Sequence, residues 1–218
     1  MNLHYFNKRN LKRKSQNRSL FAVREITSLF NRLDVNKLVT KSSEPIFVDL
    51  GCGDKFLEPE VRRRGFKYFG FDIDNIDLTQ DDIPISDDSV DIAVCYSVLE
   101  HLIDPTKMLL ETYRILKRGG VLVIETPNWH YSTKTFFDDY THIKPYTPSS
   151  IGSLLSDFEF KLIEIVPNLR CKPNILYVNK LRFWVAANLP FTGFGGFWGF
   201  MKGRSRGLFV IAQKRIDR

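Results

Sequence analysis

From Ile46 onward the chain alternates short apolar runs with stretches of helical periodicity. The runs are Ile46 to Leu50, Tyr68 to Phe71, Ile92 to Cys95 and Val121 to Glu125. Runs apolar at successive positions fit strands buried on both faces, as in a parallel sheet covered by helices. The patterns between them predict a helix from about Phe56 to Arg64 and another from Pro105 to Leu116, stopped by Gly119 and Gly120 acting as a C-cap. The interval from Asp72 to Val90 is too short for a full helix plus strand, so a compressed third unit is expected there. Farther on, Ser149 to Leu155 reads as a helix, Lys161 to Val166 as a strand and Leu208 to Ala212 as the last strand. There is no internal repeat.

Two segments stand apart from this alternation. Asn7 to Arg24 carries Lys8, Arg9, Lys12, Arg13, Lys14, Arg18 and Arg24 without one acid, a composition expected to be solvated. Leu20, Val23, Ile26, Phe30 and Leu33 then recur at helical spacing, giving an amphipathic stripe that packs on a domain edge or covers a site. Pro173 to Met201 is dense in Phe and Trp. The expected organisation is a basic arm and amphipathic helix over residues 1–44, then one α/β domain over 45–218 with an aromatic-rich insertion at 173–203.

Composition narrows the class without naming a reaction. At 218 residues and 43% apolar content the chain suits one folded domain, and a formal charge of +7 points to an anionic partner or surface. Cys52, Cys95 and Cys171 are far apart and form no C-x-x-C or Cys/His cluster, so neither a disulfide framework nor a metal site is indicated. A reducing cytoplasm fits. No apolar run reaches the roughly 18 residues of a spanning helix, and no secretory h-region is seen at the N-terminus, so neither a membrane span nor secretion is expected.

The chemistry is concentrated in VDLGCGD, residues 48–54. Gly51 and Gly53 flank Cys52 in the turn after the first strand, where a residue without Cβ lets backbone approach a ligand. The next strand ends at Asp72, followed by Ile73, where a carboxylate can accept hydrogen bonds from both ribose hydroxyls of an adenosine cofactor. Phe56 stands where the dinucleotide fingerprint G-x-G-x-x-G needs its third glycine, which counts against NAD. Asp49 can instead face a cationic group such as an ammonium. Cys52 reads as a small buried residue, since no His or Lys near it in sequence would lower its pKa.

VDLGCGD, the FGFDID strand end at 69–74, IPISDDSVDIAVCYSVLEHLIDP at 83–105 and ILKRGGVLVIETPN at 115–128 together resemble the successive motifs of class I S-adenosylmethionine-dependent methyltransferases acting on small molecules. THIKPYTP, 141–148, is more loosely similar to methyltransferases of polysaccharide and glycolipid assembly. The resemblance implies a Rossmann-like, seven-stranded, mostly parallel sheet with an antiparallel last strand and S-adenosyl-L-methionine as cofactor. By it, Gly51 and Gly53 would border the methionine moiety and Asp72 would bind ribose. Asp77 and Leu78 would meet the adenine, unless Asp81 or Asp82 holds that position, and Cys95 and Tyr96 would line the cofactor. In the family EHL begins a helix, so Glu100 and His101 are expected to pack and hydrogen-bond. His142 follows Asp138, Asp139 and Tyr140 on the side where substrate should enter, and a neighbouring carboxylate would favour its imidazolium form or orient a neutral tautomer to accept a hydroxyl proton. His130 is a weaker candidate.

The expected function is methyl transfer to oxygen of a small molecule, a sugar or a lipid-linked glycan. RNA or DNA base methylation is the runner-up, motivated by the basic arm and opposed by CYSV, 95–98, which lacks the D/N-P-P-Y/F sequence of many amino-group methylases. A non-catalytic interaction subunit and an NAD-dependent sugar reductase or epimerase rank lower, and nucleic acid is the less favoured partner. Ile175 to Met201, with Phe191, Phe194, Phe197, Trp198 and Phe200 among basic residues, would complete the core, roof the acceptor pocket or lie on an anionic membrane surface at its inner face. The sequence assigns no oligomeric state.

Overall fold

The computed structural model describes Thr27, Phe30 and residues 44–168 and 207–216, with backbone alone at 167 and 168. In chain order the elements are β1 (Ile46–Leu50), α1 (Glu58–Arg63), β2 (Lys67–Phe71), β3 (Val90–Tyr96), a 3-10 turn at Leu99–His101, α2 (Thr106–Ile115) and β4 (Leu116–Pro127). There follow α3 (Trp129–Ser132), a second 3-10 turn at Phe136–Asp138, α4 (Pro148–Asp157), β5 (Phe160–Asn168) and β6 (Gly207–Lys214). The strands form one six-stranded sheet in the order β2-β1-β3-β4-β6-β5. β1 to β4 pair in parallel, and β6 runs antiparallel to both neighbours.

Strand periodicity sorts the side chains into two layers. In β3, Val90, Ala93 and Cys95 face the layer containing Met108 and Leu109 of α2 and Ile151 and Leu155 of α4. Ile92, Val94 and Tyr96 face the opposite layer, which holds Leu57 and Val61 beside α1. Phe30 packs edge-on against Phe66 in that second layer, with the Arg64 guanidinium over its ring. The remainder of the N-terminal arm and helix, and the aromatic-rich insertion, lie outside the described residues. No helix among the described residues is long and apolar enough to cross a membrane.

Helix ends follow local chemistry. α1 has Pro59 in its first turn, Glu58 and Glu60 at its positive end and Arg62 and Arg63 at its negative end, the arrangement favoured by the helix dipole. α4 starts at a reciprocal capping box between Thr147 and Ser150.

Two expectations are corrected here. Gly119 and Gly120 do not cap α2. The helix ends at Ile115, Leu116 is already extended, and the glycines lie inside the long strand β4. Gly119 takes φ +79°, and a Cβ on Gly120 would sit 2.8 Å from the Lys117 carbonyl and 3.0 Å from that of Val90, so the glycines serve a tight strand irregularity.

The seventh strand is absent among the described residues, because the connection from β2 to β3 adds neither helix nor strand. It is anchored by side chains. The Arg114 guanidinium donates to the carbonyls of Ile83 (2.8 Å) and Ile85 (2.9 Å), pairs with Asp87 and is held by Glu111 at 2.7 Å. Glu111 in turn accepts from the Ile83 N–H at 2.8 Å. Ile83 is thereby seated in the core without a ladder of backbone hydrogen bonds.

Candidate functional site

The parallel strands deliver the ends of β1, β2, β3 and β4 to one edge of the sheet, and there the chain turns through its least ordinary backbone. Gly51 and Gly53 have φ of +76° and +49°. The N–H groups of Gly51 and Cys52 donate to the Phe71 carbonyl at 2.7 and 3.0 Å, which ties the turn to the end of β2. A Cβ on Gly51 would lie 2.1 Å from Val98 Cγ2, so this glycine is required by space as well as by conformation. Val98, in the loop after β3, is a wall of the turn that sequence reasoning did not single out.

Asp72 and the glycine turn are in direct contact. Asp72 Oδ2 accepts from the Gly53 N–H at 2.6 Å and Oδ1 from the Ile73 N–H at 2.8 Å, while its own N–H donates to Asn75 Oδ1. Asp49 is buried beside them and accepts from the Tyr68 hydroxyl at 2.7 Å. Burial pushes the Asp49 carboxyl up to about 7, against the Tyr68 hydrogen bond, which favours the ionised form, and with a smaller push from Asp72. Burial also raises the Cys52 thiol to about 11, with Asp49 and Asp72 adding to it, so Cys52 is a poor nucleophile.

The other expected cofactor residues divide. Leu78 is buried in the core. Asp77 closes a turn, accepting from the Thr79 N–H and hydroxyl at 2.9 and 2.6 Å, which holds its carboxyl below the usual range. Asp81 accepts from the Asp77 N–H, and Asp82 is paired with Lys107 on α2. Ile73 is exposed. Cys95 has no exposed surface and its Sγ lies 3.9 Å from Met108 Sδ, whereas Tyr96 faces the opposite layer beside Phe209. Successive strand residues project to opposite faces, which puts these two side chains in different layers. At this end of β3 the exposed group is Ser97, whose hydroxyl donates to Glu125 at 2.9 Å.

A second constellation forms between the turn after β3 and the loop after α3. The Glu100 carbonyl accepts from the N–H groups of Ile143 (2.8 Å) and Lys144 (3.1 Å), stapling that loop to the turn. The staple brings the rings of His101 and His142 to 4.9 Å between centroids. Burial holds the His101 imidazole below its ordinary pKa. His142 Nδ1 lies 2.6 Å from the Phe136 carbonyl, so this nitrogen carries the proton and donates. The orienting partner is therefore a carbonyl and not the Asp138 or Asp139 carboxylate expected from sequence; Asp139 accepts from the Thr141 N–H and hydroxyl. His130 contributes its N–H to the Asn128 cap at the start of α3.

A family model described as a methyltransferase domain matches residues 4–165. The chain belongs to this methyltransferase family. It is 43% identical over 47 residues to a probable S-adenosylmethionine-dependent methyltransferase of Mycolicibacterium smegmatis, covering 22% of this chain and 18% of the relative. It is 24% identical over 179 residues to a ubiquinone biosynthesis O-methyltransferase of Psychrobacter cryohalolentis, covering 65% of this chain and 66% of that one. The chain thus spans under a fifth of the first relative and about two thirds of the second. In fold it matches a crystal structure of an S-adenosylmethionine-dependent methyltransferase from Archaeoglobus fulgidus, with TM-score 0.57, 20% identity and coverage of 88% and 94% of the two chains.

The family's cofactor is S-adenosyl-L-methionine, and the residues present fit it. The turn is clear of side chain at Gly51 and Gly53, Asp72 presents a half-buried carboxylate, and Asp49 offers a second acid behind the turn. No third glycine supports a pyrophosphate.

Proposed function

We propose that the chain transfers a methyl group from S-adenosylmethionine to a hydroxyl oxygen of a small molecule, a sugar or a lipid-linked glycan. The observation that carries this reading is the contact of the glycine turn with Asp72, which puts a ribose-binding carboxylate beside a side-chain-free turn. The cofactor supplies an electrophilic methyl on a sulfonium, whose departure leaves a neutral thioether. Asp72 accepts the ribose hydroxyls, Gly51, Cys52 and Gly53 let the backbone approach the methionine moiety, and Asp49 faces its ammonium. Asp77 and Leu78 flank the adenine. Positioning carries much of the acceleration in such a displacement.

On the acceptor side, His142 donates through Nδ1 and keeps a lone pair on Nε2, the form that takes a proton from a hydroxyl. The likeness to an O-methyltransferase supports oxygen as the acceptor atom. Asn168 and Gly207 pair next to Pro127, at the sheet edge that carries the site. The basic residues of the sequence between them suit a phosphate of a lipid-linked glycan. Incubation with cofactor labelled in its methyl group and fractionated lipids, glycans and RNA tests the reading. Label in an ether-linked methyl of a lipid or glycan is expected; label confined to RNA bases contradicts it.

Two effects on cofactor binding follow. Asp72→Ala is expected to weaken S-adenosylhomocysteine binding by about 1.5 to 3 kcal/mol, the scale for hydrogen bonds to a charged acceptor. Unchanged affinity by calorimetry would show that ribose recognition lies elsewhere.

The pH dependence follows from Asp49. Its pKa is raised to about 7, so below that pH the carboxyl is protonated and must lose its proton to face an ammonium. Affinity should therefore rise by up to about tenfold per pH unit as pH approaches 7 from below, then level off. The cofactor-free fold has the opposite sign. Between the ordinary aspartate range and about 7 it holds a proton that the unfolded chain has released, so stability falls as pH rises through that window and the full penalty remains above it. Asp49→Asn should flatten both profiles, as titrations from pH 5 to 8 would reveal.

A further inference from the structure

We propose that Glu100, His101 and His142 hold one divalent transition-metal cation of the zinc type at the acceptor side of the site. One ligand atom from each residue lies within 4.8 Å of the others. Donors about 2.1 Å from a tetrahedral ion lie about 3.4 Å from one another, so the set closes around a cation by adjustments of up to roughly 0.8 Å at each residue. Two imidazoles and a carboxylate are the donors zinc accepts at open sites, where a remaining position takes water or substrate. Magnesium prefers an oxygen shell and is the poorer fit.

The hydrogen bonds around the cluster are independent of those distances and point the same way. His101 Nδ1 lies 3.1 Å from the Thr141 carbonyl, which can only accept. The Thr141 hydroxyl, 3.0 Å from the same nitrogen, has its proton committed to Asp139 at 2.6 Å. His101 Nδ1 therefore carries a proton, as His142 Nδ1 does toward Phe136, which leaves Nε2 as the nitrogen of each neutral ring open to a metal. Backbone carbonyls that fix the far nitrogen are the outer support of metal-bound histidines.

Glu100 is 1% exposed, a depth at which a carboxylate needs compensation, and the Thr126 hydroxyl donates to its Oε2 at 3.0 Å. The paired N–H groups of Ile143 and Lys144 on the Glu100 carbonyl hold the two halves of the cluster in register before any ion arrives. Nearby, the Tyr146 hydroxyl is buried, has no hydrogen-bond partner among the described residues and feels the Glu100 charge. A phenol in that state is satisfied by a water or a ligand oxygen.

The role of the ion rests on the methyl-transfer reading: with the cation bound, His142 Nε2 serves as ligand in place of base, and an acceptor hydroxyl in the open position would be acidified by the cation and release its proton to water. Binding itself does not rest on that reading. The test uses the full chain without added purification histidines, stripped with chelator and titrated with cobalt(II) and zinc(II). One equivalent of cobalt should give the visible absorption of a four- or five-coordinate site, which zinc abolishes and millimolar magnesium does not. His101→Ala, His142→Ala and the isosteric Glu100→Gln should each weaken cobalt binding by tenfold or more while circular dichroism and the melting temperature without metal stay near those of the parent. A featureless titration, or a band unchanged in both histidine variants, overturns the proposal. S-adenosylhomocysteine calorimetry on the stripped chain keeps the two readings apart, because cofactor binding survives failure of the metal site and the cobalt band survives failure of the cofactor site.

Discussion

Replacing His142 by alanine should lower turnover of a hydroxyl acceptor by about 10²- to 10⁴-fold, the contribution of a positioned base, and leave cofactor affinity unchanged. The imidazole is fixed in one tautomer by the Phe136 carbonyl, and its loop is stapled to the turn after β3. Neither contact involves the glycine turn, so the loss should appear in kcat with the saturating acceptor and not in cofactor binding. Added imidazole would partly restore a missing base. It would do less for a missing metal ligand, since the site would have lost its hold on the ion. Wild-type turnover in His142→Ala would reduce the residue to a loop support.

The second large effect is at Gly51. Gly51→Ala places a β-carbon in a left-handed conformation, costing roughly 1 to 2 kcal/mol, and drives it into Val98, where overpacking costs about 1 to 3 kcal/mol more. Val98 is β-branched and has little freedom to rotate away. A loss of about 2 to 5 kcal/mol in urea unfolding is expected, together with loss of cofactor binding. Trimming the wall in a Gly51→Ala, Val98→Ala chain should recover the overpacking part and leave the conformational part. A single variant as stable as the parent would mean that the turn relaxes freely, and the argument for a shaped pocket would fail.

Much of the fold was legible because a strand buried on both faces is apolar at most positions. β1 coincides with its run, and Lys67–Phe71, Val90–Tyr96 and Phe160–Asn168 each contain the stretch read from sequence. The glycine pair in β4 misled because Gly after a helical pattern usually marks a C-cap. Here the chain passes from Ile115 straight into the sheet, where β6 pairs with Val121 onward. Among the described residues the sheet has one strand fewer than the resemblance implied, residues 72–89 being spent on turns anchored by Arg114.

At the site, the local contacts were legible and the distant ones were not. Asp72 and Gly53 stand at the two strand ends where a parallel pair must place them, and they touch. Strand alternation sends the side chains of Cys95 and Tyr96 into different layers, an arrangement that the resemblance alone does not specify. Cysteine spacing shows no metal ligands, whereas the structure groups Glu100 and His101 in one turn with His142 beyond β4 and α3. Nothing in the spacing announces it, because the staple from the Glu100 carbonyl to Ile143 and Lys144 is a backbone contact without a residue signature.

The central claim is that the turn after β1 and Asp72 bind an adenosyl sulfonium cofactor and not a dinucleotide. Isothermal calorimetry of the full chain against S-adenosylhomocysteine, with NAD in parallel, tests it most directly. The account predicts saturable binding of one S-adenosylhomocysteine per chain, weakened in Asp72→Ala, and no comparable heat from NAD. Saturable binding of NAD with none of S-adenosylhomocysteine would contradict it.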